Sequence, residues 1–149
     1  MKGKMIILIG LLWSVISAQG QILNTVKWSY AAKKTSSKEA VLYLKATVQP
    51  GWHVFSVNQK PGGPLTTTFT FSKNAEYTLV GNVTEPNPIL KFDKTFGIEI
   101  MYFENEVIFQ QKVKLKSSKG VVKGKVEFMA CNDTQCLPPE ELKFSIPVK

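Results

Sequence analysis

The chain has 149 residues, a formal charge of +8 and two cysteines, and each of its 19 basic side chains is a lysine. With no arginine, and with the lysines spread along the chain, the sequence argues against a nucleic-acid binder, because phosphate and base recognition lean on arginine's bidentate fork. A single histidine, His53, excludes the usual histidine-rich zinc set.

Residues 1–20 read as a secretory signal peptide. Lys2 and Lys4 precede an apolar run from Met5 to Ile16, and Ser17, Ala18 and Gly20 supply the small residues of a cleavage site. The run is shorter than the roughly 20 residues a spanning helix takes, and no later stretch is apolar enough to span, so the mature chain is expected to be exported without membrane insertion. Removing Lys2 and Lys4 lowers the charge from +8 to +6. Residues 21–149 suit one domain with one core.

No segment holds helical periodicity, and strand signals follow one another between turns, so the expected class is all-β, a sandwich. Leu42, Leu44, Ala46 and Val48 give one strand an apolar face. Thr66–Phe71, Tyr77–Thr84 and Ile98–Phe103 follow, the last ending at a Glu104-Asn105 turn. Val107, Phe109, Val113 and Leu115 line the inside of the next strand, with Gln111 as a polar misfit among them. Pro50-Gly51, Pro61 to Pro64 and Pro86-Asn87-Pro88 interrupt the pattern, since proline removes a ladder donor.

Val122, Val126, Phe128 and Ala130 share one phase of the strand before the cysteines, which puts Cys131 in the other, polar phase and predicts a sulfur at the sandwich rim. Leu142, Phe144, Ile146 and Val148 define the inner face of the last strand. Between these strands, Cys131 and Cys136 flank Asn-Asp-Thr-Gln and precede Pro138-Pro139. Bridging them requires a sharp turn, which Asn, Asp and Thr favour. As a staple such a short loop contributes only about 2 kcal/mol, so stability explains the pair weakly. Two nearby thiols suffice for disulfide exchange with no cofactor. Spacing alone leaves a structural disulfide equally open.

Cys131-Asn-Asp-Thr-Gln-Cys136-Leu-Pro-Pro, with Val26-Lys27-Trp28, Gly51-Trp52-His53-Val54-Phe55, Gly62-Gly63-Pro64 and Phe92-Asp93-Lys94-Thr95-Phe96-Gly97, resembles the N-terminal domain of the DsbD thiol:disulfide interchange proteins. The resemblance implies an immunoglobulin-like β-sandwich that takes electrons from a membrane-embedded thiol donor. It would pass them to periplasmic thioredoxin-fold proteins, including isomerases and cytochrome c maturation factors. Cys136 would be the attacking sulfur and Cys131 the resolving one. A cap loop would cover them, drawn from Phe92, Asp93, Thr95, Phe96 and Gly97, with Phe96 the leading lid and the family's covering ring nearest Thr95. His53, Phe55 and Pro138 would line the site. The chain departs from familiar members in having four residues between the cysteines instead of five, and it lacks their membrane and thioredoxin-like domains, so it would act as a stand-alone protein with a separate donor. Two other readings stay open: a non-catalytic binding sandwich with a passive clip, and a Cu(I) carrier using both cysteines with Met129 or Met101.

Overall fold

The computed structural model describes residues 24–149, so the expected signal peptide and its cleavage site lie outside the described residues. The chain forms an immunoglobulin-like β-sandwich. Its strands are β1 (Val26–Lys34), β2 (Glu39–Val48), β3 (His53–Phe55), β4 (Thr68–Phe71), β5 (Tyr77–Thr84), β6 (Ile89–Asp93), β7 (Ile98–Glu104), β8 (Glu106–Leu115), β9 (Gly120–Phe128), β10 (Ala130–Cys131) and β11 (Glu140–Val148). Among the described residues no helix is long and apolar enough to cross a membrane.

One layer is the antiparallel sheet β1-β2-β8-β5. The facing layer consists of two ribbons, β11-β9-β4 and β10-β3-β7-β6, joined where the chain runs from β9 through Met129 into β10. Period-two alternation puts Leu42, Leu44 and Ala46 of β2, Phe109 and Val113 of β8, and Val122, Val126 and Phe128 of β9 into one core. Trp28 of β1 crosses this core, its ring 5.7 Å from Phe69, 6.1 Å from Phe109 and 5.4 Å from Phe128. Burial at such aromatic contacts is among the larger single stabilising terms a domain of this size has.

The misfit Gln111 is buried, as its strand phase requires, and the structure explains it. The pairing of β5 with β8 is irregular between Val80 and Thr84, and the Gln111 Nε2 group donates to the carbonyls of Val80 (3.3 Å), Gly81 (3.3 Å) and Lys112 (2.8 Å). A bulge leaves carbonyls without ladder partners, and an amide on the inner face satisfies them.

Three expectations are revised. The polar phase after Phe128 is not solvated at Cys131, which is only 2% exposed. Phe92 belongs to strand β6 and not to the loop, because residues 89–93 pair with β7 directly after the Pro86-Asn87-Pro88 break. Leu142 keeps the inner phase of β11 yet is 38% exposed, while Phe144, Ile146 and Val148 of the same phase are buried.

Candidate functional site

The ribbon β10-β3-β7-β6 carries apolar side chains on both faces. Val54, Phe103 and Ala130 point into the main core, and the alternate residues Phe55, Ile100, Tyr102 and Cys131 form a second, smaller apolar cluster on the outer face. Cys131 therefore sits beside a packed aromatic surface instead of at an open rim. Met129 and Ile98 pack against the same cluster.

Cys131 is bonded to Cys136, with the two Cα atoms 4.0 Å apart, closer than the commonest range for disulfides. The hydrogen-bond pattern accounts for it. Asn132 N donates to Gln135 O (2.8 Å) and Leu137 N to Ala130 O (2.9 Å), so the cysteines face each other as a non-hydrogen-bonded antiparallel pair, the pairing in which Cα atoms approach most closely. The turn between them is pinned by one side chain. Asn132 Oδ1 accepts from Thr134 N (2.9 Å), Thr134 Oγ1 (3.0 Å) and Gln135 N (2.8 Å). An asparagine closing its own turn in this way is the local chemistry that turn-forming residues offer. Cys136, unlike its partner, is exposed.

A cleft of about 530 Å³ opens over the disulfide. Its floor is His53 and Phe55 of β3 with Ile100, Tyr102 and Glu104 of β7; its walls are Lys91, Asp93, Thr95 and Phe96 on one side and the 131–136 hairpin on the other. The loop 94–97 is shaped by Asp93, whose Oδ1 accepts from Thr95 N (2.7 Å) and Phe96 N (3.2 Å) while its carbonyl accepts from Gly97 N (2.8 Å). Gly97 closes the turn at φ +68°, a conformation that costs glycine little. Phe96 is thereby brought into the cleft wall, with 36% of its surface exposed.

Of the residues singled out in the sequence, the structure therefore brings together Cys131, Cys136, His53, Phe55, Asp93, Thr95 and Phe96. Gly97 shapes the loop without lining the cleft. Phe92 lies outside the cleft lining, on the other side of β6 from Lys91 and Asp93, and is 63% exposed; Pro138 is exposed beyond the hairpin. Sequence reasoning missed Ile100, Tyr102, Glu104 and Lys91. The first three alternate along β7, so the signal was present, but it marks a site face only once the disulfide is known to lie against it.

His53 packs its ring 4.8 Å from Tyr102 and 5.3 Å from Phe55. Burial pushes its pKa below the ordinary histidine value, against the opposing pull of Glu104, Asp133 and Asp93, with Lys91 adding to the lowering.

The site is thus a bridged cysteine pair, one sulfur buried and one presented in an aromatic cleft, on an immunoglobulin-like sandwich. Residues 21–147 match the family described as thiol:disulfide interchange protein DsbD, N-terminal, and the chain belongs to that family. No curated relative matches the sequence. Among solved structures, the reduced DsbD N-terminal domain of Neisseria meningitidis is 14% identical with a TM-score of 0.52, covering 80% of this chain and 82% of that one. The N-terminal periplasmic domain of ScsB from Proteus mirabilis is 16% identical with a TM-score of 0.58, covering 84% of this chain and 46% of that one. The Neisseria meningitidis DsbD N-terminal domain in complex with the PilB N-terminal domain is 12% identical with a TM-score of 0.50, covering 78% of this chain and 80% of that one. At these identities the likeness is one of fold.

Proposed function

We propose that this protein is an exported thiol-disulfide exchange protein that works in the periplasm, accepting electrons from a membrane-embedded thiol donor and passing them to oxidised thioredoxin-fold proteins through Cys131 and Cys136. Residues 1–20 direct export in this reading. The observation that carries it is the asymmetry of the bridge: Cys136 is exposed at the mouth of the cleft, and Cys131 is buried behind it. Exchange requires one sulfur that a partner can reach and a second that approaches from within the protein.

In the reducing direction, the Cys136 thiolate attacks one sulfur of the partner's disulfide, forming a mixed disulfide and releasing the partner's other thiolate. The Cys131 thiolate then attacks Cys136 Sγ, closing the intramolecular bridge and releasing the partner with both of its sulfurs reduced. Two electrons pass and no cofactor takes part. Supporting the choice of partner, a member of the same family forms a complex through its N-terminal domain with another protein's N-terminal domain. The aromatic floor of the cleft suits an incoming loop, and Phe96 in its wall shields the sulfurs between encounters, when exposure would invite oxidation.

The test is trapping. Reduced Cys131→Ser protein mixed with an oxidised thioredoxin-fold protein is expected to accumulate a covalent complex through Cys136, visible on non-reducing gels and absent from Cys136→Ser. If no such complex forms, the relay role is wrong. The reduction potential provides a second measure: a carrier is expected between about −270 and −120 mV, a passive clip below about −300 mV.

A further inference from the structure

Strand register places four reactive or ionisable side chains in one transverse row on the outer face of the ribbon. Cys136 pairs with Cys131, Cys131 with His53, and His53 with Glu104. Directly paired residues of antiparallel strands project from the same face, and all four line the same cleft.

The hydrogen-bond phase sharpens this. Cys131 faces Cys136 as a non-hydrogen-bonded pair, so its own N–H and C=O point the other way, into the pair with His53. On the far side, Ser56 N donates to Met101 O (3.0 Å), which makes Phe55 and Tyr102 a non-hydrogen-bonded pair and, two residues along, His53 and Glu104 another. That is the pairing with the closest side-chain approach. The chain's one histidine thus stands between the buried sulfur and a carboxylate. Its ring is steadied by Tyr102 and Phe55.

We propose that His53 accepts the proton of the Cys131 thiol as Cys131 attacks the mixed disulfide at Cys136, and returns it in the reverse direction, with Glu104 acting as a positioning residue that stabilises the imidazolium. This deepens the exchange reading and rests on it. The physical need is specific to Cys131. A thiol packed against Phe55, Ile100 and Tyr102 pays a desolvation cost to ionise, and Glu104, Asp93 and Asp133 nearby add none of the positive charge that would offset it. Lys91, on β6, supplies the cation in the cleft. Cys136, being exposed, ionises into water without such help. His53 is held in its neutral form by burial, which leaves it free to take a proton near neutral pH.

The step balances. Cys131 gives its proton to an imidazole nitrogen of His53, and its sulfur forms the bond to Cys136 Sγ. The bond from Cys136 to the departing group breaks and that group leaves as a thiolate. The imidazolium then passes its proton to that thiolate or to water.

A partner-free assay separates this from the relay role. Fully reduced protein mixed rapidly with dithionitrobenzoate releases two thionitrobenzoate equivalents, the first from attack by Cys136 and the second from closure by Cys131. In the wild type the second release is expected to rise with pH and level off through a midpoint below the ordinary histidine value. His53→Gln is expected to slow the second release by about ten-fold or more near neutral pH, to abolish that midpoint and to leave the first release unchanged. Glu104→Gln is expected to move the midpoint to lower pH, because it removes a charge that raises the His53 pKa. Glu104→Gln also carries the test should His53→Gln misfold. An unchanged rate and pH profile of the second release in these variants would overturn the proposal, whatever the trapping experiment gives. A His53-dependent second release in a protein that traps no thioredoxin-fold partner would uphold the proton transfer and reject only the relay.

Discussion

Asn132 offers the most direct control over how readily the bridge forms, and Asn132→Ala tests it. The substitution removes three accepted hydrogen bonds, to Thr134 N, Thr134 Oγ1 and Gln135 N, from the turn that carries both cysteines. A typical hydrogen bond contributes about 1 kcal/mol net, but this turn is exposed and water replaces much of each, so about 1 kcal/mol in total is a reasonable loss. The oxidised protein keeps its turn closed covalently, whereas the reduced protein relies on Asn132. The loss therefore appears as a lower effective concentration of one thiol for the other, by about five-fold, and as a reduction potential more positive by about 20 mV. Equilibrating wild type and variant against a series of glutathione buffers, with the two forms resolved after thiol alkylation, measures the difference directly. An unchanged potential would mean that strand pairing at Ala130 and Leu137 holds the turn, and that the asparagine contributes nothing to the redox balance.

Gly124→Ala should destabilise the sandwich, because a Cβ there would lie 2.5 Å from the Thr70 carbonyl oxygen and 2.6 Å from Phe144 Cζ. Overpacking of this kind costs about 1–3 kcal/mol, outweighing the roughly 0.4–1 kcal/mol gained from a stiffer unfolded chain, so a drop of several degrees in Tm is expected by circular dichroism. If Phe96, which lines the cleft, acts as its lid, Phe96→Ala should speed alkylation of the reduced pair several-fold; an unchanged rate of iodoacetamide modification would remove Phe96 as the lid. His53 predicts an acid-side loss of stability. Its folded pKa is lowered, so below the ordinary value near 6.5 the unfolded chain binds the proton more readily, and stability falls as pH drops until the folded value is passed. The difference between the urea midpoints of wild type and His53→Gln should be constant above that window and shift within it, the variant losing less as pH falls.

The strand phases of β2, β8 and β9 were legible in the sequence because a sheet with one face on a core imposes a strict two-residue alternation, and even Gln111 kept its place in that pattern. The cysteine hairpin was equally local: turn-forming residues between two thiols fix where the chain reverses. Site composition was legible only in part. Cys131 looked like a rim residue because alternation assigns it a face and says nothing about what covers that face. Its burial depends on β3 and β7, which come from far earlier in the chain and bring Phe55, Ile100 and Tyr102 against it. Phe92 and Phe96 are close in sequence and equally aromatic, but the pairing of β6 with β7 leaves Phe92 outside the cleft, while the turn at Asp93 brings Phe96 into its lining. Which segments alternate and where the chain turns are properties of neighbouring residues, so the sequence alone determined them. The row from Cys136 through Cys131 and His53 to Glu104 crosses segments that only long-range strand pairing aligns, and the tertiary structure alone decided it.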